Sequence, residues 1–172
     1  MRVLVACEFS GTVREAFAAR GHDAWSCDIL PTDVHGKHLQ CDVAEVLDDG
    51  WDMLIAHPPC THLAVSGARW FGEKVEEQAD ALNFVRLLMA APIPRIAIEN
   101  PVSIISSRIR KCDQVIQPWQ FGHGEMKTTC LWLKNLPRLR PTDVVEGREQ
   151  RVWKCCRLAR KDGRYGARLI LA

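Results

Sequence analysis

A chain of 172 residues, 47% of them apolar and with a formal net charge of +2, is the size of one domain with a substantial core. No apolar run reaches bilayer-spanning length, and Arg2 to Glu8 meets a charge and a turn too early for a secretory signal, so a cytoplasmic protein is expected. Eight cysteines scattered through strands and loops, with no Cys-x-x-Cys pair, exclude a small secreted disulfide scaffold.

Short apolar runs alternate with amphipathic stretches, which predicts an α/β fold with a mostly parallel sheet. The first strand is Val3 to Cys7, followed by a turn at Phe9-Ser10-Gly11-Thr12. A helix runs from Val13 to Arg20, with Val13, Ala16 and Phe17 on its apolar face and Gly21 closing it. A second strand, Ala24 to Cys27, ends at Asp28. Pro31 to His38 reads as loop, Gln40 to Val43 as a weak strand or turn, and Ala44 to Leu47 as a short helix. The strand Met53 to Ala56 stops at His57-Pro58-Pro59-Cys60, and Thr61 to Phe71 reads as loop. The longest helix, Glu73 to Ala91, repeats Val75, Ala79, Leu82, Val85, Leu88 and Met89 at helical spacing, and Pro92 and Pro94 end it. Then come a strand at Arg95 to Ile98, a short helix over Ser103 to Arg110, and last strands at Val115-Ile116 and Cys130 to Leu133, paired as a hairpin around Gly122-His123-Gly124. The domain is expected to span residues 1–137. Residues 138–172 form a tail whose basic end, from Arg148 on, is a candidate phosphate-facing surface.

A buried strand that stops at a rigid turn delivers a side chain to the carboxyl edge of a sheet, where α/β proteins bind ligands. Cys60 is therefore a candidate nucleophile. Glu99, in Glu99-Asn100-Pro101 after the next buried run, is a candidate acid facing the same pocket. The turn Phe9-Ser10-Gly11, between a strand and a helix, can cradle a cofactor, because glycine allows close approach and free helix amides would point at it. Asp28 can accept hydrogen bonds from ribose hydroxyls, and Asp42 either reaches an adenine amine or caps the following helix. His57, Cys60 and His62 offer nitrogen and sulfur to a metal, but the prolines stiffen the segment and no fourth ligand is evident. No metal is expected.

Taken in order, Phe9-Ser10-Gly11, Asp28, Asp42, Pro58-Pro59-Cys60 and Glu99-Asn100-Pro101 resemble the motifs of the DNA cytosine-C5 methyltransferases over the first two thirds of the chain. The whole also resembles small phage-encoded members of that family. The resemblance implies a Rossmann-like class I S-adenosylmethionine-dependent fold, its mostly parallel sheet carrying an antiparallel last strand. It implies S-adenosylmethionine as cofactor, held by Phe9, Ser10, Gly11, Asp28 and Asp42, with Pro58 shaping the nearby wall. Cys60 would attack carbon 6 of cytosine and Glu99 would hydrogen-bond N3, its carboxyl kept neutral by burial. Asn100 and Lys127 are the expected substrate contacts, Lys127 being the only charge where the family carries an arginine-bearing segment. With about 40 residues after Trp132, a separate target-reading domain is not expected. The expected partner is DNA or a pyrimidine nucleotide. Trp70 and Phe71 are candidate stacking surfaces for an extruded base. Two readings compete: an amino-methylating enzyme, whose two prolines His57 and Cys60 flank poorly, and an inactive nucleic-acid or nucleotide-binding module.

Overall fold

The computed structural model describes residues 1–66, 72 and 74–147. Five parallel strands form most of one sheet: β1 (Arg2–Ala6), β2 (Asp23–Asp28), β3 (His38–Gln40), β4 (Met53–Ala56) and β5 (Arg95–Pro101). Two more, β6 (Gln114–Ile116) and β7 (Thr129–Lys134), complete it in the order β3-β2-β1-β4-β5-β7-β6. Strand β7 runs antiparallel to both neighbours. The order reverses between β1 and β4, so the crevice outside their carboxyl ends is where such a sheet binds ligands.

Strand β1 is buried on both faces, which explains its unbroken apolar run. Leu4 and Ala6 join the large core beneath α2 (Val75–Ala90) and α3 (Ile105–Arg108), while Val3 and Val5 pack with Val13, Ala24 and Phe17 beneath α1 (Thr12–Ala18). Helix α2 buries Leu82, Val85 and Leu88; Val75 and Ala79 are exposed, so its apolar face meets the core only from the second turn on. Among the described residues no helix is long and apolar enough to cross a membrane.

Several expectations need correction. Ala16 is exposed, and the second inward position of α1 belongs to Arg14, 1% exposed. Strand β3 begins at His38, within the segment read as loop, because the imidazole bridges Ser26 Oγ at 2.9 Å and the Leu30 carbonyl at 2.9 Å. The short helix after Asp42 is a single 3-10 turn, Val43–Glu45. Strand β5 continues to Pro101, since β7 goes on pairing with it beyond the end of β4. Strands β6 and β7 do pair antiparallel, but the connection holds a further 3-10 turn at Pro118–Gln120. Past Pro137 the chain stays attached: the Gln114 side chain exchanges two hydrogen bonds with the Leu139 backbone, and Gly122 N donates to the Asp143 carbonyl at 2.8 Å. The basic stretch from Arg148 and the Trp70-Phe71 pair lie outside the described residues.

Glu8, 5% exposed, accepts from the backbone N–H of Val13 and, at 3.2 Å, of Arg14. It thus fills the amino end of α1, a cap acting from outside the helix. Glu8→Ala leaves both amides without a partner and should cost about 2 kcal/mol of unfolding free energy, read from urea denaturation.

Candidate active site

The carboxyl ends of β1, β2 and β3 bring together the residues expected to hold a cofactor. Cys7, just past β1, takes a left-handed backbone with φ of 59° and turns the chain into Glu8-Phe9-Ser10. Burial, and then the charges of Asp28 and Asp42, push its thiol up to about 12, so both carboxylates face this point. Asp28 Oδ1 accepts from Leu30 N at 3.0 Å, and Asp42 Oδ1 accepts from Ala44 N at 2.9 Å. Each carboxylate spends one oxygen on its own turn, so Asp42 does cap the turn that follows it. Cys27 Sγ lies 3.9 Å from Cys41 Sγ beneath the same edge, both thiols free, and burial pushes the Cys27 thiol up to about 12.

The glycine turn also makes room for a neighbouring side chain. Val13 and Arg14 amides are taken by Glu8, so they are not open to a ligand. Gly11 has φ of 72°, and a Cβ there would lie 2.6 Å from an Arg14 guanidinium nitrogen; one at Gly36 would meet the same group at 2.6 Å. The two glycines therefore make room for Arg14. Its guanidinium donates to Ser26 Oγ at 3.0 Å, to the Val34 carbonyl at 2.9 Å and to Glu15 Oε1 at 2.9 Å. It ties α1 to the loop that follows Asp28. Phe9 and Ser10 are half-buried beside it, with the Phe9 carbonyl accepting from Asp33 N at 2.9 Å.

At the ends of β4 and β5 the thiol and the acid come from adjacent strands. The last register pair is Ala56 with Ile98, so His57 and Glu99 are the next residues on each side. His57 Nδ1 sits 3.2 Å from Glu99 Oε2, and Asn100 Nδ2 donates to the buried Pro58 carbonyl at 2.9 Å. Beyond them Val65 N donates to the Val102 carbonyl at 3.1 Å and Ile104 N to the Leu63 carbonyl at 3.0 Å, fastening the two loops together. Cys60 is exposed between these ties, and its carbonyl accepts from Leu63 N and Ala64 N.

The electrostatics of Glu99 reverse the expectation from burial. Desolvation pushes its carboxyl up, but the His57 hydrogen bond, the charge of His57 when protonated and the charge of Lys127 together hold it below the ordinary carboxylate range. Glu99 is therefore a carboxylate at neutral pH. Lys127, half-buried before β7, lies close enough for its charge to act on Glu99.

Buried polar atoms are normally paired. Among the described residues six buried side-chain atoms have no hydrogen-bond partner, and five of them lie on these two joined segments: His57 and His62 on the one that carries Cys60, Glu99, Asn100 and Ser103 on the one that ends β5. That concentration marks a place built to meet a polar ligand. No group of three or more histidine, cysteine or acidic side chains is gathered for a metal among the described residues. A cavity of about 210 Å³ lies elsewhere, lined by Met89, Ile96, Trp132 and Lys134 toward the opposite edge of the sheet. The sequence reading missed Glu8, Arg14 and the role of His57. Their signal was faint: a charged residue at an inward helical position, two unexplained glycines, and a histidine at a strand end.

No family model and no curated protein matches this chain. Among solved structures it is similar to an E. coli protein described as a candidate DNA modification methyltransferase encoded within a prophage. The TM-score is 0.59 at 17% identity, covering 86% of this chain and 53% of that one. The chain thus spans about half the length of that protein. With the strand order, this likeness shows the fold to be the Rossmann-like class I methyltransferase fold.

Proposed function

We propose that this protein transfers a methyl group from S-adenosylmethionine to carbon 5 of cytosine in DNA, through a covalent adduct on Cys60. The carrying observation is the convergence of the Cys60 and Glu99 segments, tied by the His57–Glu99 and Asn100–Pro58 contacts and ringed by unpartnered polar atoms. The structural neighbour, described as modifying DNA, lends support to a methyltransferase acting on DNA.

The acidic edge fits the cofactor. Asp28 would take the ribose hydroxyls and Asp42 the adenine amine, with Phe9, Ser10, Gly11 and Pro58 forming the walls. When bound, the cofactor supplies an electrophilic methyl group on a sulfonium whose positive charge favours a nearby thiolate. Cytosine carbon 5 is a poor nucleophile until something adds at carbon 6. The Cys60 thiolate adds there and pushes electrons toward the N3 edge of the ring, which takes a proton from solvent. Glu99, entering as a carboxylate, stabilises that protonated edge; Asn100 and Lys127 hold the ring beside it. Once carbon 5 carries the methyl group, its proton passes to water, the carbon 6–sulfur bond breaks to release the Cys60 thiolate, and the N3 proton returns to solvent.

The test is mass spectrometry of the protein with 5-fluorocytosine DNA and S-adenosylmethionine, alongside free 5-fluorodeoxycytidine nucleotides. The fluorine blocks the final proton loss, so an adduct trapped on Cys60 is expected with DNA. Absence of an adduct with either substrate removes the proposal, and an adduct with the nucleotide alone makes the substrate a free pyrimidine nucleotide.

Glu99 also has a stability signature. Its folded-state pKa is depressed, so its contribution is full above the unfolded value and is lost as pH falls through the lower folded one. Urea midpoints of the parent and Glu99→Gln should differ at pH 7 and converge below the ordinary carboxyl range. Parallel curves at all pH would contradict the His57 and Lys127 pairing.

A further inference from the structure

His57 is placed by the sheet and not by the side chain it meets. Its backbone N–H donates to the Ala6 carbonyl of β1 at 3.0 Å, and the proline that follows narrows its own backbone to the extended region. Glu99 stands on a strand whose register is set by β7, with Leu131 opposite. Between these two fixed backbones the side chains meet at 3.2 Å, each 21% exposed. Glu99 Oε2 is thereby occupied, and Glu99 Oε1 is left buried and without a partner.

We propose that His57 is the positioning residue of Glu99: its Nδ1–H, donated to Oε2, turns Oε1 toward the ligand and makes the two side chains act as one unit. The significance for methyl transfer rests on the proposed function above; the pairing itself does not. Other charged or titratable groups face the unit from the β7 side. Lys127 acts on the Glu99 carboxyl, and the Cys130 thiol lies close enough to feel the charge of Glu99. Neither replaces a hydrogen bond to Oε2. A neutral donor would keep the orientation and lose the charge, whereas an apolar residue would lose both.

His57→Asn and His57→Leu separate these contributions. The first readout is the Glu99 carboxyl carbon followed by NMR through a pH titration of the whole protein, its signal assigned by disappearance in Glu99→Gln. The titration should move up by about one pH unit in His57→Leu and by less in His57→Asn. The second is methyl transfer to cytosine DNA. His57→Leu should lower kcat about 100-fold, with KM and calorimetric cofactor affinity unchanged. His57→Asn should recover most of kcat, with its acid limb displaced to higher pH. An unmoved Glu99 titration, a loss confined to KM, or a His57→Leu enzyme with full kcat would each overturn the proposal. If His57→Leu does not fold, the His57→Asn titration decides alone. If the parent transfers no methyl group, the functional reading fails while the carboxyl titration still decides the pairing.

Discussion

Cys60→Ser is expected to lower methyl transfer about 10³-fold or more, and to abolish the adduct with 5-fluorocytosine DNA, while S-adenosylmethionine affinity stays the same. A hydroxyl in place of the thiol keeps the size of the side chain. It gives up the anion: a serine hydroxyl is essentially never ionised near neutral pH, whereas an ordinary cysteine is a few per cent thiolate. Cys60 is exposed and outside the apolar core, so its replacement should leave the urea midpoint where it was. Calorimetry of the cofactor and a radiolabelled methyl-transfer assay on the same preparations make the comparison. Unchanged transfer would point to amino methylation. A parent protein that binds cofactor and DNA but transfers nothing would point to an inactive binding module.

The second large effect belongs to stability. Arg14→Leu should lower the unfolding free energy by about 3 kcal/mol, because it removes at once all the hydrogen bonds of a guanidinium that is itself almost fully buried. The Val34 carbonyl and Ser26 Oγ lose their guanidinium donor, Ser26 being fully buried. Lysine should not restore the loss, since one ammonium cannot reach partners spread around a planar fork. The loop after Asp28 loses its anchor as well, so cofactor affinity should fall in the same variant. A decrease under about 1 kcal/mol would mean that the loop is held by something other than the guanidinium.

Much of this architecture was legible for identifiable reasons. Strands β1, β4 and β5 are buried on one or both faces, so their existence stands out, and β1 and β4 also stop where a turn or a proline says they should; β5 runs on to Pro101. The carboxyl-edge positions of Cys60 and Glu99 follow from β4 and β5, and that of Asp28 from the end of β2. What stayed hidden was polar and long-range. His57 and Glu99 are 42 residues apart, and no local period links them. Glu8 acts on a helix from outside it, and Arg14 is a charge at an inward position where periodicity expects an apolar residue. The ionisation of Glu99 could not be inferred from burial alone, because desolvation is opposed by the His57 hydrogen bond and the Lys127 charge, and their balance depends on distances that no spacing encodes. Gly11 stands out by its backbone freedom, but the Arg14 guanidinium packed against it does not.

The pairing of Glu99 with Leu131, past the point where β4 has ended, carries a consequence for biosynthesis. On its amino-terminal side the acid's strand is fixed by segments already made, but beyond Ile98 its ladder partner is β7, translated more than thirty residues later. A nascent chain can therefore collapse around β1, β2 and β4 and display the thiol loop while the acid is still unmoored. The candidate site at this edge is completed only after position 131 has cleared the ribosome, which makes it one of the last parts of the domain to mature.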